Sequence, residues 1–470
     1  MGKLLIRNAD AIVSCDAKDT IYRNADLLIE DGKITEIGQN LVAEGAEIID
    51  ARGRYVYPGL VNTHHHLLQA FTRNIPAVQN SELFDWLMYL YNVWVQVDPE
   101  YMYLSSMVAM SEFVKFGGTT LFDQHFAFPR SAPKGIVDRQ FDAAAEIGLR
   151  FHAGRSCFTR GKSQGGLPPD ELVETTDEVL RDCERLIDKF HDPKEFSMRQ
   201  VVCAPCSPFS VDSEIMLESA RLARAKGVRL HTHLCETLDE ENYCLETYGD
   251  RPLAWAEKCE FVGPDVWYAH GIHFTDEEVA FLAQTQTGVS HNAVSNMKLA
   301  SGICKVPLML KLGVPVGLAV DGCGSNDASN LLADLRTTFL LHRLNSSNQA
   351  PTAYQILKLG TVGSAQLLGR RDIGCLEAGK AGDLFMINMD KLDVVGATLD
   401  PASYLCTVGY GNYVERTVIA GQVVCENGRM LKIDEDQLKA QAGAKVAAVY
   451  AKLPNAAPGQ VPGAGQKRAY

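Results

Sequence analysis

The 470-residue chain has no apolar run approaching the roughly 18 residues of a membrane-spanning helix, because Gly or a charge interrupts each long stretch. It has no surplus of positive charge: 45 Lys and Arg stand against 58 Asp and Glu, a formal net charge of −13. That balance argues against non-specific attraction to nucleic acid or to an anionic membrane. Nor is there a disulfide framework, since the thirteen cysteines are odd in number and scattered without regular spacing. Free thiols in a reducing cytoplasm are the expectation. The opening residues carry no signal-peptide apolar core, and Ile6 stands where a myristoylation signal needs Ser or Thr. No internal repeat is found. A composition of 46% hydrophobic and 22% charged residues excludes a disordered chain and suits a globular enzyme.

What is present changes character along the chain. Residues 3–57 read as short strands, Leu4-Leu5-Ile6, Ala11-Ile12-Val13, Asp26–Ile29 and Ile34–Ile37, with turn signals such as Glu30-Asp31-Gly32 between them. The same texture returns in Asp383–Ile387, Val414–Ile419 and Gly421–Val424. Between these flanks, helical stretches alternate with short apolar strands. One helix is expected to start at Asp98 as N-cap, with Pro99 at N1, and to end at Gly117-Gly118. Others cover about 170–190 and 213–226, and Val314–Asp321 reads as a strand. This alternation predicts either a parallel barrel or a doubly wound sheet. The tail from Leu453 is rich in Pro, Gly, Ala and Gln and is expected to be flexible.

In a parallel barrel, polar residues at the strand C-termini converge on one mouth. The strand ends here are His64-His65-His66, Asp123-Gln124-His125, His231-Thr232-His233, His270, His291 and Asp321. In an extended segment alternate residues share a side, so His64 and His66 can face one atom while His65 points away. Such a clamp suits zinc or another first-row divalent ion. His233 and Asp321 are the candidates to complete three imidazoles and one carboxylate, with a position left for water. His231 competes with His233 by the same alternation, although Glu236 lies three residues beyond His233, within reach of a bound water.

These residues also carry a resemblance. Pro58-Gly59-Leu60-Val61-Asn62-Thr63-His64-His65-His66-Leu67-Leu68-Gln69 resembles the opening motif of the amidohydrolase superfamily, in its cytosine/guanine deaminase and triazine hydrolase branch. His233-Leu234-Cys235-Glu236, Tyr268-Ala269-His270-Gly271, Ser290–Asn296, and Val320-Asp321-Gly322 with Ser325-Asn326-Asp327 resemble that branch's later motifs. The resemblance spans about 3–430 and is strongest to 8-oxoguanine and isoxanthopterin deaminases. It implies a distorted (β/α)₈ TIM-like barrel over 58–375, with a composite β-sandwich from 1–57 and 376–433. Residues 434–470 remain as a C-terminal helix and flexible tail. It implies one metal ion, Zn²⁺ or Fe²⁺, on His64, His66, His233 and Asp321; the Met198–Cys206 stretch lacks the Lys that a two-metal variant needs. The ion lowers the pKa of a water toward about 7, and hydroxide attacks an amidine-like carbon bearing an exocyclic amine. Glu236 moves a proton from water to ring nitrogen, His270 steadies the oxygen, and Asp321 passes a proton to departing ammonia. The implied substrate is a purine or pterin; a triazine amino- or chlorohydrolase, or a catalytically silent scaffold, is the alternative. A homo-oligomer is expected only as the family's habit.

Several residues stay open at this stage. Gln69 can bond an amide-like ring edge or serve as a cap. His125 can touch substrate, support the metal ligands or pack, and Arg155 can read a ring carbonyl. Phe84 and Trp86 belong to a helix-like segment over the pocket, where aromatics either pack or stack. Asn296 sits near the ligand or in a turn. His291 is expected to bond around the Asp321 side, and His342, His152, His191 and His273 receive no role. Cys203-Ala204-Pro205-Cys206 has no second pair for a closed zinc site. No His-x-Glu exists for a cytidine-type zinc deaminase either, so these are read as structural cysteines. Where many relatives carry His-Cys-Pro, this chain has His291-Asn292-Ala293.

Overall fold

The computed structural model describes residues 2–452, so the tail from Leu453 lies outside the described residues. Eight parallel strands form the central sheet. They are β1 (Leu60–Asn62), β2 (Gly118–His125), β3 (Arg150–Arg155), β4 (Arg199–Cys203), β5 (Arg229–Leu234), β6 (Val266–His270), β7 (Gly288–His291) and β8 (Val316–Leu318). Each pairs with its neighbour in chain order, and the sheet curls until β8 meets the end of β1. There the Thr63 amide donates to Leu318 O at 3.3 Å, and the Thr63 hydroxyl lies 3.0 Å from the same oxygen. The alternation of strands and helices is therefore a (β/α)₈ barrel, not an open sheet.

The helices begin and end where local chemistry directs. Pro99–Lys115 starts from Asp98, whose carboxylate accepts the Tyr101 amide, and the chain leaves it through Gly117 at φ 85°. Ser213–Lys226 is capped by Asp212 and ended by Gly227 in the left-handed region. The helix expected from about 170 begins only at Thr176, because Thr175 and Glu178 form a capping box there and set Asp170–Leu172 apart as a 3₁₀ turn.

Two strands differ from expectation. Leu4–Ile6 and Ala11–Val13 join as one strand, Lys3–Val13, with an irregularity between Ile6 and Ala9. Asn8 sits there at φ 61°, its amide tied to Asp26 Oδ1 at 2.7 Å. The expected strand Val314–Asp321 breaks after Leu318. Asn62 Oδ1 takes the Val320 amide, Asp321 turns to φ 64°, and Asp321-Gly322 pairs separately with His65-His66.

Both flanks enter one nine-stranded sheet, in which Leu384–Asn388 lies antiparallel to Arg54–Pro58 and joins the C-terminal strands to the N-terminal ones. Alternate residues Leu4 and Ile6, Leu27 and Ile29, Leu384 and Met386 share its core. A buried ion pair fastens this sheet to the barrel: Arg150 of β3 meets Asp383 at 2.5 and 3.2 Å. The helix Glu435–Tyr450 lies on Pro99–Lys115, with Lys445 bonded to Asp98 and Glu100. No described helix is long and apolar enough to cross a membrane.

Candidate active site

The strand ends bring His64, His66, His233, His270 and Asp321 together at the barrel mouth. His64 Nε2 and His66 Nε2 lie 3.2 and 3.3 Å from Asp321 Oδ1, and His66 Nε2 lies 3.1 Å from His233 Nε2. His65 points away, to Ser329 Oγ at 2.9 Å. His64, His233 and His270 form a second overlapping group of possible ligands.

The outer hydrogen bonds assign the inner atoms. A carbonyl only accepts, so His66 Nδ1–H donates to Gln124 O at 2.8 Å and His233 Nδ1–H to Cys206 O at 2.7 Å. His231 Nδ1–H likewise donates to Trp267 O, which leaves His231 Nε2 to accept from His64 Nδ1 at 2.9 Å. His231 is thus the orienting partner of His64, and the choice left open between His231 and His233 falls to His233. Burial lowers the pKa of all four cluster imidazoles, which disfavours their charged forms. Three bare Nε2 lone pairs then face one another and a carboxylate oxygen with no proton to share. Such a donor set is at rest only around a cation, and three imidazoles with one carboxylate suit a first-row divalent ion.

Asp321 is held on both oxygens. Gly322 N donates to Oδ1, and Ser295 Oγ and Ser325 Oγ donate to Oδ2 at 2.6 and 3.2 Å. Glu236 differs. Burial and the Asp321 charge push its carboxyl well above the usual range, and Oε2 stands 3.4 Å from His270 Nε2. Its Oε1 has no hydrogen-bond partner among the described residues. A carboxyl poised to take and return a proton needs this combination. Cys235, just before it, has φ 55°, and the Glu240 carboxylate bridges the amides of Cys235 and Glu236 at 2.6 and 3.2 Å.

Above the cluster lies a pocket. Its wall is largely apolar, with Leu83, Leu87, Tyr91, Phe126, Phe158, Phe209 and Leu299; Gln69, Trp86, Cys206, Ser207 and Ser325 supply polar atoms beside His66, His233, Glu236, His270 and Asp321. Trp86 Nε1 is buried without a partner among the described residues, and Gln69 Oε1 accepts the Gly324 amide. Phe84 packs edge-on against Phe209 of the wall.

Three expected substrate contacts lie elsewhere. Arg155 leaves the pocket for Glu174 and Asp182, each at 2.7 Å, because a guanidinium this deeply buried needs carboxylates. His125 donates to Ala127 O at 2.8 Å behind the pocket wall. Asn296 reaches His270 Nδ1 at 3.0 Å instead of a ligand. His291 bonds His342, Nε2 to Nε2 at 3.2 Å, not the Asp321 side. His231 as a partner of His64, Ser295 and Ser325 as holders of Asp321, and Glu240 were not predicted from the sequence. Only Glu240 left a local signal, four residues past Glu236 at the third position of a helix capped by Thr237.

Comparison with known proteins agrees with this geometry. The family model described as the amidohydrolase family matches residues 55–424. Hydroxydechloroatrazine ethylaminohydrolase of Pseudomonas sp. (strain ADP) is 42% identical over 91% of this chain and 92% of its own. The 8-oxoguanine deaminase of Pseudomonas aeruginosa is 40% identical over 96% of this chain and all of its own. The crystal structure of atrazine chlorohydrolase from Arthrobacter aurescens TC1 complexed with zinc superposes with a TM-score of 0.91 at 33% identity. That match covers 94% of this chain and 100% of the other. The barrel, the strand-end cluster and these relatives together make the chain an enzyme that belongs to the amidohydrolase family.

Proposed function

We propose that the enzyme is a hydrolytic aminohydrolase acting on a purine or pterin ring such as 8-oxoguanine or isoxanthopterin. Water replaces the exocyclic amine of an amidine-like carbon; the C–N bond breaks, a C=O forms and ammonia leaves. The observation that carries this reading is Glu236: a buried carboxyl with a free oxygen, on the pocket floor 3.4 Å from His270 Nε2 and beside the His/Asp cluster. An 8-oxoguanine deaminase at 40% identity and an isoxanthopterin deaminase at 33% identity support the ring class.

His64, His66, His233 and Asp321 would hold one divalent ion, with zinc the first choice. When bound, such an ion lowers the pKa of water toward about 7 and makes hydroxide available at neutral pH. The protein does the rest. Glu236 takes a proton from the attacking water and delivers it to the ring nitrogen, so that charge is cancelled as the tetrahedral carbon forms. His270 donates to the developing oxygen. Asp321 passes a proton to the leaving amine. Trp86 Nε1–H, buried and otherwise unpartnered, donates to a ring acceptor, and the Gln69 amide bonds the adjacent edge. The apolar wall excludes water from the ring.

The same wall favours a second reading. Leu83, Leu87, Phe158 and Phe209 suit an N-alkyl substituent, as on an alkylaminotriazine, and the ethylaminohydrolase at 42% identity has a name consistent with this. Zinc-loaded protein incubated with aminopurines, aminopterins and alkylaminotriazines, with ammonia, alkylamine and chloride measured, separates the two. Ammonia from a purine or pterin, absent with Glu236→Gln, supports the first reading. Alkylamine release alone replaces it with the second.

A further inference from the structure

The His270 ring has one nitrogen at the reacting centre and the other between two amides. Nε2 is the atom near Glu236. Nδ1 lies 3.0 Å from Asn296 Oδ1 and 3.3 Å from Asn292 Nδ2, all of them buried. A neutral imidazole carries one ring proton, so Nδ1 can donate to Asn296 or accept from Asn292 but not both. The two amides are not equally fixed. With the Thr63 hydroxyl donating to Ser290 Oγ at 2.7 Å, the one Ser290 proton goes to Asn292 Oδ1 at 3.2 Å, which turns the Asn292 NH₂ toward the ring. Asn296 Nδ2 has no partner among the described residues, so a half-turn of that amide exchanges only its contact with Nδ1 and would offer the ring a second donor.

We propose that Asn292 is a positioning residue that keeps the His270 ring proton on Nε2, so that the ring meets the developing oxygen as a hydrogen-bond donor. With the proton on Nδ1, Nε2 would be a bare lone pair beside His64 and His233, and His270 would be one more imidazole ligand. The Asn292 amide therefore decides between donor and ligand without any change in the net charge of the ring. The inference rests on the reading of His270 as the oxygen-facing donor of the proposed reaction.

The test is ¹⁵N NMR of histidine-labelled, zinc-loaded protein, with His270→Gln assigning the ring. Wild-type Nδ1 is expected at the unprotonated position. It should move to the protonated position in Asn292→Asp, which supplies an acceptor, and in Asn292→Ala, which leaves Asn296 to accept. With a substrate that wild type turns over, kcat should fall about tenfold in both variants while KM and zinc content stay unchanged. A wild-type ring protonated at Nδ1, or ring signals that do not move in either variant, overturns the inference. The wild-type spectrum decides alone if a variant does not fold. Silence of wild type toward the heterocycle panel strikes at the proposed reaction only, because the NMR readout needs no substrate.

Discussion

Each imidazole of the cluster owes its usefulness to the atom behind it. His64 presents Nε2 because His231 takes its Nδ1 proton, and His231 can do so only because Trp267 O takes the proton of His231. Replacing His231 by Phe keeps a ring of similar volume against Phe122 and Trp267 but removes the acceptor. Zinc affinity should then fall roughly 10–100-fold, read by chelator competition, with the folded far-UV spectrum retained. Unchanged affinity would mean that the His64 tautomer is set without His231. Glu236→Gln keeps shape and burial but removes the carboxyl proposed to carry the proton. Turnover should fall by about 10²–10⁴ while metal content, measured by emission spectroscopy, stays the same. A Gln variant that retained most activity would remove Glu236 from the proton path.

At the scale of elements, the helix Leu331–Ser346 carries Asp334, buried against Asn326, whose amide donates to it at 2.9 Å. Burial raises this carboxyl to about 8. A folded pKa above the unfolded one gives stability that is full below about pH 4 and lost as pH rises through about 8. Asp334→Asn should therefore flatten the decline of Tm between pH 5 and 8, measured by calorimetry; an identical slope in both proteins refutes this. Elements of this kind were largely legible beforehand. Asp98-Pro99 and Gly117-Gly118 announced helix ends, and alternation at His64 and His66 announced a shared face, because both signals are local. What stayed hidden depends on neighbours distant in sequence. Arg155 ends a strand like a pocket residue, yet Glu174 and Asp182 claim it. Val314–Asp321 has the composition of one strand, yet Asn62 divides it. The pocket wall was equally unreadable, since Leu83, Phe158 and Phe209 meet only through the fold.

At the scale of the whole molecule, the barrel and the nine-stranded sheet share the Arg150–Asp383 pair, in which both side chains are almost wholly buried. Asp383→Ala leaves the guanidinium without its carboxylate and should cost about 3–5 kcal/mol, seen as a lower denaturant midpoint. A loss below about 1 kcal/mol would mean that the carbonyls of Phe196 and Ser197, which also accept from Arg150, suffice alone. Metal should stabilise the molecule as well. At a free zinc concentration of 100 Kd the gain is about 2.7 kcal/mol, so chelation should lower Tm reversibly.

The shared sheet also sets a timetable for synthesis. Tyr57 sits in the strand that leads into the barrel, and its hydroxyl waits for Pro401 O, 344 positions further on. At about 5–20 residues per second, a ribosome needs on the order of tens of seconds to supply that partner. Until then the N-terminal strands have an open edge, and the nascent chain is a client for whatever shields unpaired strands. The barrel thus depends, during its making, on residues that emerge near the end of the chain.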